Sequence, residues 1–170
     1  MENIYKIKRS FVIPLIIITI LLFVLLLLSL LKGHMEERII LAVIFSISLL
    51  IGIESVKREI IVGKEKLTIK KFFRRKEFTF AEITQLAVVA LKKKVYFLLT
   101  TTKGFYIFSN LFENHALLIR SLMDRLGEER VEVEVKNYLN HPLERLSLII
   151  MSWVAAFIIA ALITLKLSGI

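Results

Sequence analysis

The chain has no cysteine, only one aspartate and only two prolines. Without cysteine, disulfides, thiol chemistry and Cys-ligated metals are excluded. The lone aspartate, Asp124, falls in an ordinary amphipathic stretch. No G-x-S-x-G, P-loop, G-x-G-x-x-G or H-E-x-x-H is present. The three histidines, His34, His115 and His141, have no metal-ligand spacing and read as scattered surface residues. These absences predict no catalytic residue, no metal and no cofactor. The last absence is of charge: three long runs contain no Asp, Glu, Lys, Arg or His. Ion and proton pathways through a membrane ordinarily need such groups, so a transporter acting alone is not expected.

What is abundant is apolar surface. Hydrophobic residues make up 56% of the chain and the mean hydropathy is +0.72, against about 45–50% apolar in soluble domains. Phe11–Leu31 has the length of a spanning helix, roughly 31 Å at 1.5 Å per residue, with Pro14 expected in its first turn. Ile39–Ile53 is shorter and reads as the return leg of a hairpin, closed by a loop that includes Glu36, Glu37 and Arg38. Its Ser46, Ser48 and Gly52 are small enough for close helix approach. Leu146–Leu165 is the third run; Ala155, Ala156, Ala160 and Ala161 form a candidate packing seam on it, against the hairpin or against a partner. Trp153 is assigned packing only.

Basic residues set the expected orientation. Lys6, Lys8 and Arg9 precede the first run, and Lys57 and Arg58 follow the second. The positive-inside bias predicts a multi-pass cell-membrane protein with its N-terminus and middle segment cytoplasmic and its C-terminus outside. The net charge of +9 is uneven. Lys57–Lys94 carries twelve Lys/Arg against four Glu, whereas Val95–Arg145 is close to neutral. A positive face beside membrane helices points to anionic head groups, with nucleic acid as the competing partner.

Between Glu54 and Gly127 the hydrophobic period falls to about two. Six short antiparallel strands are predicted: Lys57–Val62, Leu67–Phe73, Glu77–Phe80, Gln85–Ala90, Val95–Thr102 and Phe105–Ser109. Phe73, Phe78 and Phe80 are expected to point inward, and Arg74–Lys76 to be a turn. Asn110 is expected to cap a closing helix whose stripe is Leu111, Leu118, Leu122 and Leu126, and Gly127 to stop it. The alternation RVEVEVKN, 130–137, reads as an extra edge strand, with a helix running to Arg145 as the alternative. KGFYIFSN, Lys103–Asn110, begins like an RNA-recognition signature, but Tyr106 stands where a small residue is required and Asn110 where an aromatic is. No nucleic-acid partner is expected.

The segment REIIVGKEKLTIKKFFRRKEFTFAEITQLAV resembles bacterial PH-like (pleckstrin-homology-like) domains, whose barrel opens with an L-x-I … R-R-K … F … I hairpin. KGFYIFSNLFENHALLIRSLMDRL is similar to the last hairpin and closing helix of such domains. LFENHALLI is similar to the helix start in small membrane proteins of this kind. The resemblance covers roughly residues 54–127. It implies a binding or scaffolding fold without catalysis and carries over no ligand residue. In eukaryotic PH domains the phosphoinositide-binding basic residues stand around the first hairpin loop; here that loop reads GKEK, without arginine.

The expected architecture is therefore a membrane α+β fold. It has an N-terminal transmembrane hairpin (1–53, with runs 11–31 and 39–53), a PH-like antiparallel barrel or sheet with a closing helix (54–127), a connector (128–145) and a third transmembrane helix (146–165). If the strands form a meander, the turns holding Arg74, Arg75, Lys76 and Lys92, Lys93, Lys94 lie at its membrane-near end. They would meet anionic phospholipid there, or merely keep the strands soluble. The expected function is a cytoplasmic binding or scaffolding module docked on lipid or on a protein partner. The competing reading is an accessory subunit that packs on a transporter or cell-envelope complex through the alanine seam; a homo-oligomer is the other partner reading.

Overall fold

The N-terminal residues, read above only as positive charge, form a strand. Asn3–Lys6 is β1 and pairs antiparallel with β2, Glu59–Val62, in the register Ile4↔Ile61 and Lys6↔Glu59. Tyr5 points into the core, and the bridge Ile7↔Phe112 extends the pairing. The computed structural model describes residues 2–91, 94–142 and 146–168. It separates into two units, one built from residues 1–8 and 57–145 and the other from 9–56 and 146–170. The domain expected at 54–127 is thus completed by residues from both sides of the helical hairpin.

In the first unit, β3 (Lys66–Lys70) and β4 (Arg75–Thr79) follow β2 to give a four-stranded sheet in the order β1-β2-β3-β4. A short 3-10 turn at Phe80–Glu82 leads to a three-stranded sheet of β5 (Ile83–Leu91), β6 (Lys94–Thr101) and β7 (Gly104–Ser109). Among the described residues there are seven strands, not six. The period-two pattern works as anticipated along β6, where Val95, Phe97 and Leu99 are fully buried between half-exposed neighbours. It misleads at the aromatic turn: Phe78 is buried and Phe80 half-buried, but Phe73 is 83% exposed.

Helix α3 runs His115–Leu126 and buries Leu118, Ile119, Leu122 and Leu126. Its cap is Asn114, at φ 51°, and not Asn110. The backbone before it is committed to strand-like bonds: Asn110 N–H donates to Val95 O (3.3 Å), Leu111 O accepts from Lys8 N–H (2.9 Å) and Glu113 N–H donates to Lys6 O (2.7 Å). Gly127, at φ 76°, ends the helix by donating to Met123 O, a conformation that favours glycine. The alternation in 130–137 does not form a strand. Val131 makes one bridge to Leu86, and α4 then runs Val133–Asn140. A helix buries every third or fourth residue, so Val135 and Tyr138 are inside while Val133 is exposed. Tyr138 meets the Phe97 ring edge-on at 5.3 Å.

The second unit holds three helices long and apolar enough to cross a membrane: α1 (Arg9–Lys32), α2 (Met35–Lys57) and α5 (Leu146–Leu167). All three exceed their apolar runs. Pro14 therefore lies past the first turn of α1, and Glu36, Glu37 and Arg38 belong to α2, leaving only Gly33–His34 as the connection. α5 packs along α1, and Leu25, Leu41 and Ile163 form a small core with Leu21, Leu28 and Ile159 around it. Thr19 Oγ1 and Ser48 Oγ share a hydrogen bond of 2.9 Å between α1 and α2. Of the expected small residues, Ser48 is buried there, but Ser46 is exposed and bonds Ala42 O within its own helix. Most remaining side chains of these helices, Ile20, Ile47 and Phe157 among them, point outward.

Candidate functional site

The end of the first unit that carries its two junctions, Lys8 and Lys57, is densely basic. The cross-strand register puts Lys6, Glu59, Lys70 and Arg75 in one row across the four-stranded sheet. Glu59 sits between two lysines, 3.0 Å from Lys6 Nζ and 3.5 Å from Lys70 Nζ. The Lys6 hydrogen bond, aided by the charge of Lys70, holds its carboxyl below the ordinary glutamate range despite some burial.

The chain turns between β3 and β4 through Lys71, Phe72, Phe73 and Arg74, closed by Lys71 N–H donating to Arg74 O (2.8 Å). Lys57 Nζ stands 4.7 Å above the Phe72 ring, which ties the turn to the junction residue. The expected turn Arg74–Lys76 is therefore displaced: Arg74 closes the turn, while Arg75 and Lys76 are strand residues. The register Lys70↔Arg75 leaves only four residues between paired positions. Arg75 pairs with Glu77 at 2.5 Å. Lys76 donates to Tyr106 Oη (2.6 Å), with its amine 4.8 Å from that ring. The side chains of Lys71 and Arg74 are exposed and, among the described residues, form no hydrogen bond or ion pair.

Lys94 opens β6 at the same end: the adjacent Val95 O accepts from Asn110 N–H, and the next residue, Leu111, bonds Lys8. Lys92 and Lys93 lie outside the described residues. Of the six predicted contacts, the structure thus brings Arg74, Arg75 and Lys94 to the junction end and engages Lys76 on Tyr106. Sequence reasoning missed Lys57, Lys71, Phe72 and Phe73. The signal was present in KKFFRRK: two phenylalanines bracketed by cations, too few residues to continue one strand and begin another.

An open hollow of about 490 Å³ runs over the four-stranded sheet from the β2–β3 turn to Arg75; its charged lining is Glu2, Lys64, Glu65, Lys66, Arg75 and Glu77. Three carboxylates offset three cations there, so it is a poor anion site. Elsewhere Glu82, bonded by Lys103 Nζ (2.5 Å) and by Thr79 N–H (2.9 Å), and Glu128, bonded by Lys136 Nζ (2.8 Å), are held below the ordinary range.

His115, expected on the surface, is 5% exposed, its ring 6.1 Å from that of Tyr138; it packs in the core instead of facing water. His34 and His141 are exposed. Among the described residues no three His, Cys, Asp or Glu side chains are grouped to hold a metal. The predicted alanine seam is only partly a face: Ala156 is buried, Ala155 and Ala160 are half-buried, and Ala161 is exposed. Helical spacing explains this, because positions 156, 160 and 163 share the side packed along α1, and 161 turns away. Comparison with family models, with curated proteins and with solved structures finds no match to the chain.

Proposed function

We propose that this chain is an integral membrane protein whose three long helices span the cell membrane and whose first unit is a cytoplasmic PH-like binding module docked on anionic lipid. The helix lengths and the outward-facing apolar side chains support the membrane reading. Two antiparallel sheets, of four and three strands, followed by an amphipathic helix support the PH-like reading. Strand pairing between β1 and β2 requires residues 3–6 and 59–62 to share one side, which agrees with a hairpin that crosses and returns. The basic flanks favour the cytoplasm for that side.

One observation carries the lipid reading: the cation-rich end of the unit is also the end that bears both junctions. Only Ile7 and Lys8 separate β1 from α1, and only Arg58 separates α2 from β2. Such short tethers favour a place for Lys71, Arg74 and Lys94 within reach of the head groups, where each basic residue would contribute up to about 1 kcal/mol, less than additively.

The test uses the absence of native cysteine. A single fluorophore at Glu65→Cys, on the turn remote from the proposed contact, is placed in the full chain in nanodiscs that carry acceptor-labelled lipid. Energy transfer is expected to differ between anionic and neutral discs. High salt, or Gln at 71, 74 and 94, should return it to the neutral value. Transfer indifferent to lipid charge and to salt would show that the basic residues only stay solvated.

A further inference from the structure

Phe72 and Phe73 occupy the two central positions of the tight β3–β4 turn, where such turns ordinarily carry Gly, Asn or Asp. Neither has positive φ, so the pair is not there to solve a backbone problem. Nor does the core use Phe73. Its ring lies 4.0 Å from Phe72, edge-on, and at 83% exposure it is the most exposed large apolar side chain among the described residues. A scattered exposed apolar residue is unremarkable by itself. This one is bracketed by Lys71 and Arg74, both exposed and both without a side-chain partner among the described residues. Beneath it, Phe72 is fixed by the Lys57 amine, the last residue of α2.

A second exposed phenylalanine shows the contrast. Phe105, 71% exposed, lies on β7, and the nearest basic residue in the chain, Lys103, is neutralised by Glu82 at 2.5 Å. Phe73 is therefore the exposed aromatic of the unit that combines unpaired cations on both sides with a place at the junction end.

We infer that the Lys71–Arg74 turn is a membrane-interface anchor. Phe73 inserts its ring at the boundary between head groups and acyl chains, while Lys71 and Arg74 hold lipid phosphates above it. The order cation, aromatic pair, cation matches the order of a bilayer surface, with anionic groups outside and apolar groups a few ångströms deeper. This inference rests on the proposal that the basic end faces the bilayer, and adds that the contact there is partly apolar. Because an aromatic side chain in the interface does not depend on counter-ions, its insertion outlasts the screening of the lysines and arginines.

The chain's single tryptophan, Trp153, makes the test direct. In a full-length Trp153→Phe background, Phe73→Trp and, separately, Phe105→Trp are reconstituted into vesicles of phosphatidylcholine with phosphatidylglycerol, and of phosphatidylcholine alone. With Phe73→Trp, emission is expected to shift to the blue on anionic vesicles. Lipids brominated high on the acyl chain should quench it and aqueous iodide should not, whereas Phe105→Trp stays open to iodide. Equal iodide quenching of the two variants overturns the anchor. The two ideas fail separately. Insertion of Phe73→Trp that is the same in neutral vesicles supports the anchor and removes the preference for anionic lipid. An iodide-exposed Phe73→Trp, with the Glu65 label still responding to lipid charge, keeps electrostatic docking and rejects the anchor. Phe73 lies outside the core, so both variants should unfold at the parent temperature, and that measurement verifies the fold.

Discussion

The two units handle apolar residues in opposite ways. In the strand unit Phe97, Leu99, Leu118 and Ile119 are sealed from solvent and charged residues occupy the outside. In the helical unit only a few positions, such as Leu25, Ser48 and Ile163, are buried, and isoleucine, leucine and phenylalanine cover the exterior. One chain cannot present both surfaces to the same solvent at low cost. Burial at about 25 cal/mol per Å² stabilises the first in water, and the second makes sense when lipid surrounds it. The contrast also explains why the unit boundary does not follow chain order. β1 belongs with β2 because its apolar side, Tyr5 and Ile7, is buried in the core of the strand unit, although the whole hairpin intervenes.

Substitutions that penalise one unit should spare the other. Phe97→Ala should destabilise the strand unit by about 3–5 kcal/mol, read as a lower unfolding midpoint of the detergent-solubilised chain, with membrane insertion unchanged. Next in size, Ile47→Lys near the middle of α2 should cost about 3–4 kcal/mol in insertion, read as carbonate-extractable protein. It should leave unfolding of the strands unaltered. If either variant damages the other unit equally, the two do not fold as separate bodies.

A smaller effect tests the row Lys6–Glu59–Lys70 that joins β1 to its neighbours. Because Glu59 is held below the ordinary glutamate range in the folded chain, the unfolded chain binds its proton first as the pH falls. The stability it contributes is present above the ordinary glutamate value and is lost as pH drops through the lowered native one. For pairs this exposed the contribution is about 0.5 kcal/mol. Glu59→Gln should flatten the acid limb of the stability–pH curve by that amount; an unchanged limb would remove the row as a link.

How much of this was legible in the sequence depended on whether one physical rule acted alone. Long uncharged runs admit one reading, and the three helices were found, although each continues past its apolar run into charged residues. Period-two burial located β2 to β7 for the same reason. β1 was missed because four residues beside a long apolar helix carry little pattern, and their partner lies more than fifty positions away. The 130–137 segment was misread because alternating valines fit a strand, whereas the space beside Phe97 suits a helix that places Val135 and Tyr138 inward. Of the basic site, the cations were visible and their turn was not. Counting Phe73 as a core residue moved the turn to Arg74–Lys76 and hid the exposed ring.

The proposed hairpin crosses the membrane and returns between two strands of one folded unit. It is tested most directly by labelling single cysteines with a membrane-impermeant maleimide in right-side-out and inverted vesicles. Ile4→Cys and Lys66→Cys should both react only from the cytoplasmic face, and Glu36→Cys, beside the hairpin connection, only from the other. Reaction of Glu36→Cys from the same face as Lys66→Cys, or of Ile4→Cys from the opposite one, would contradict it.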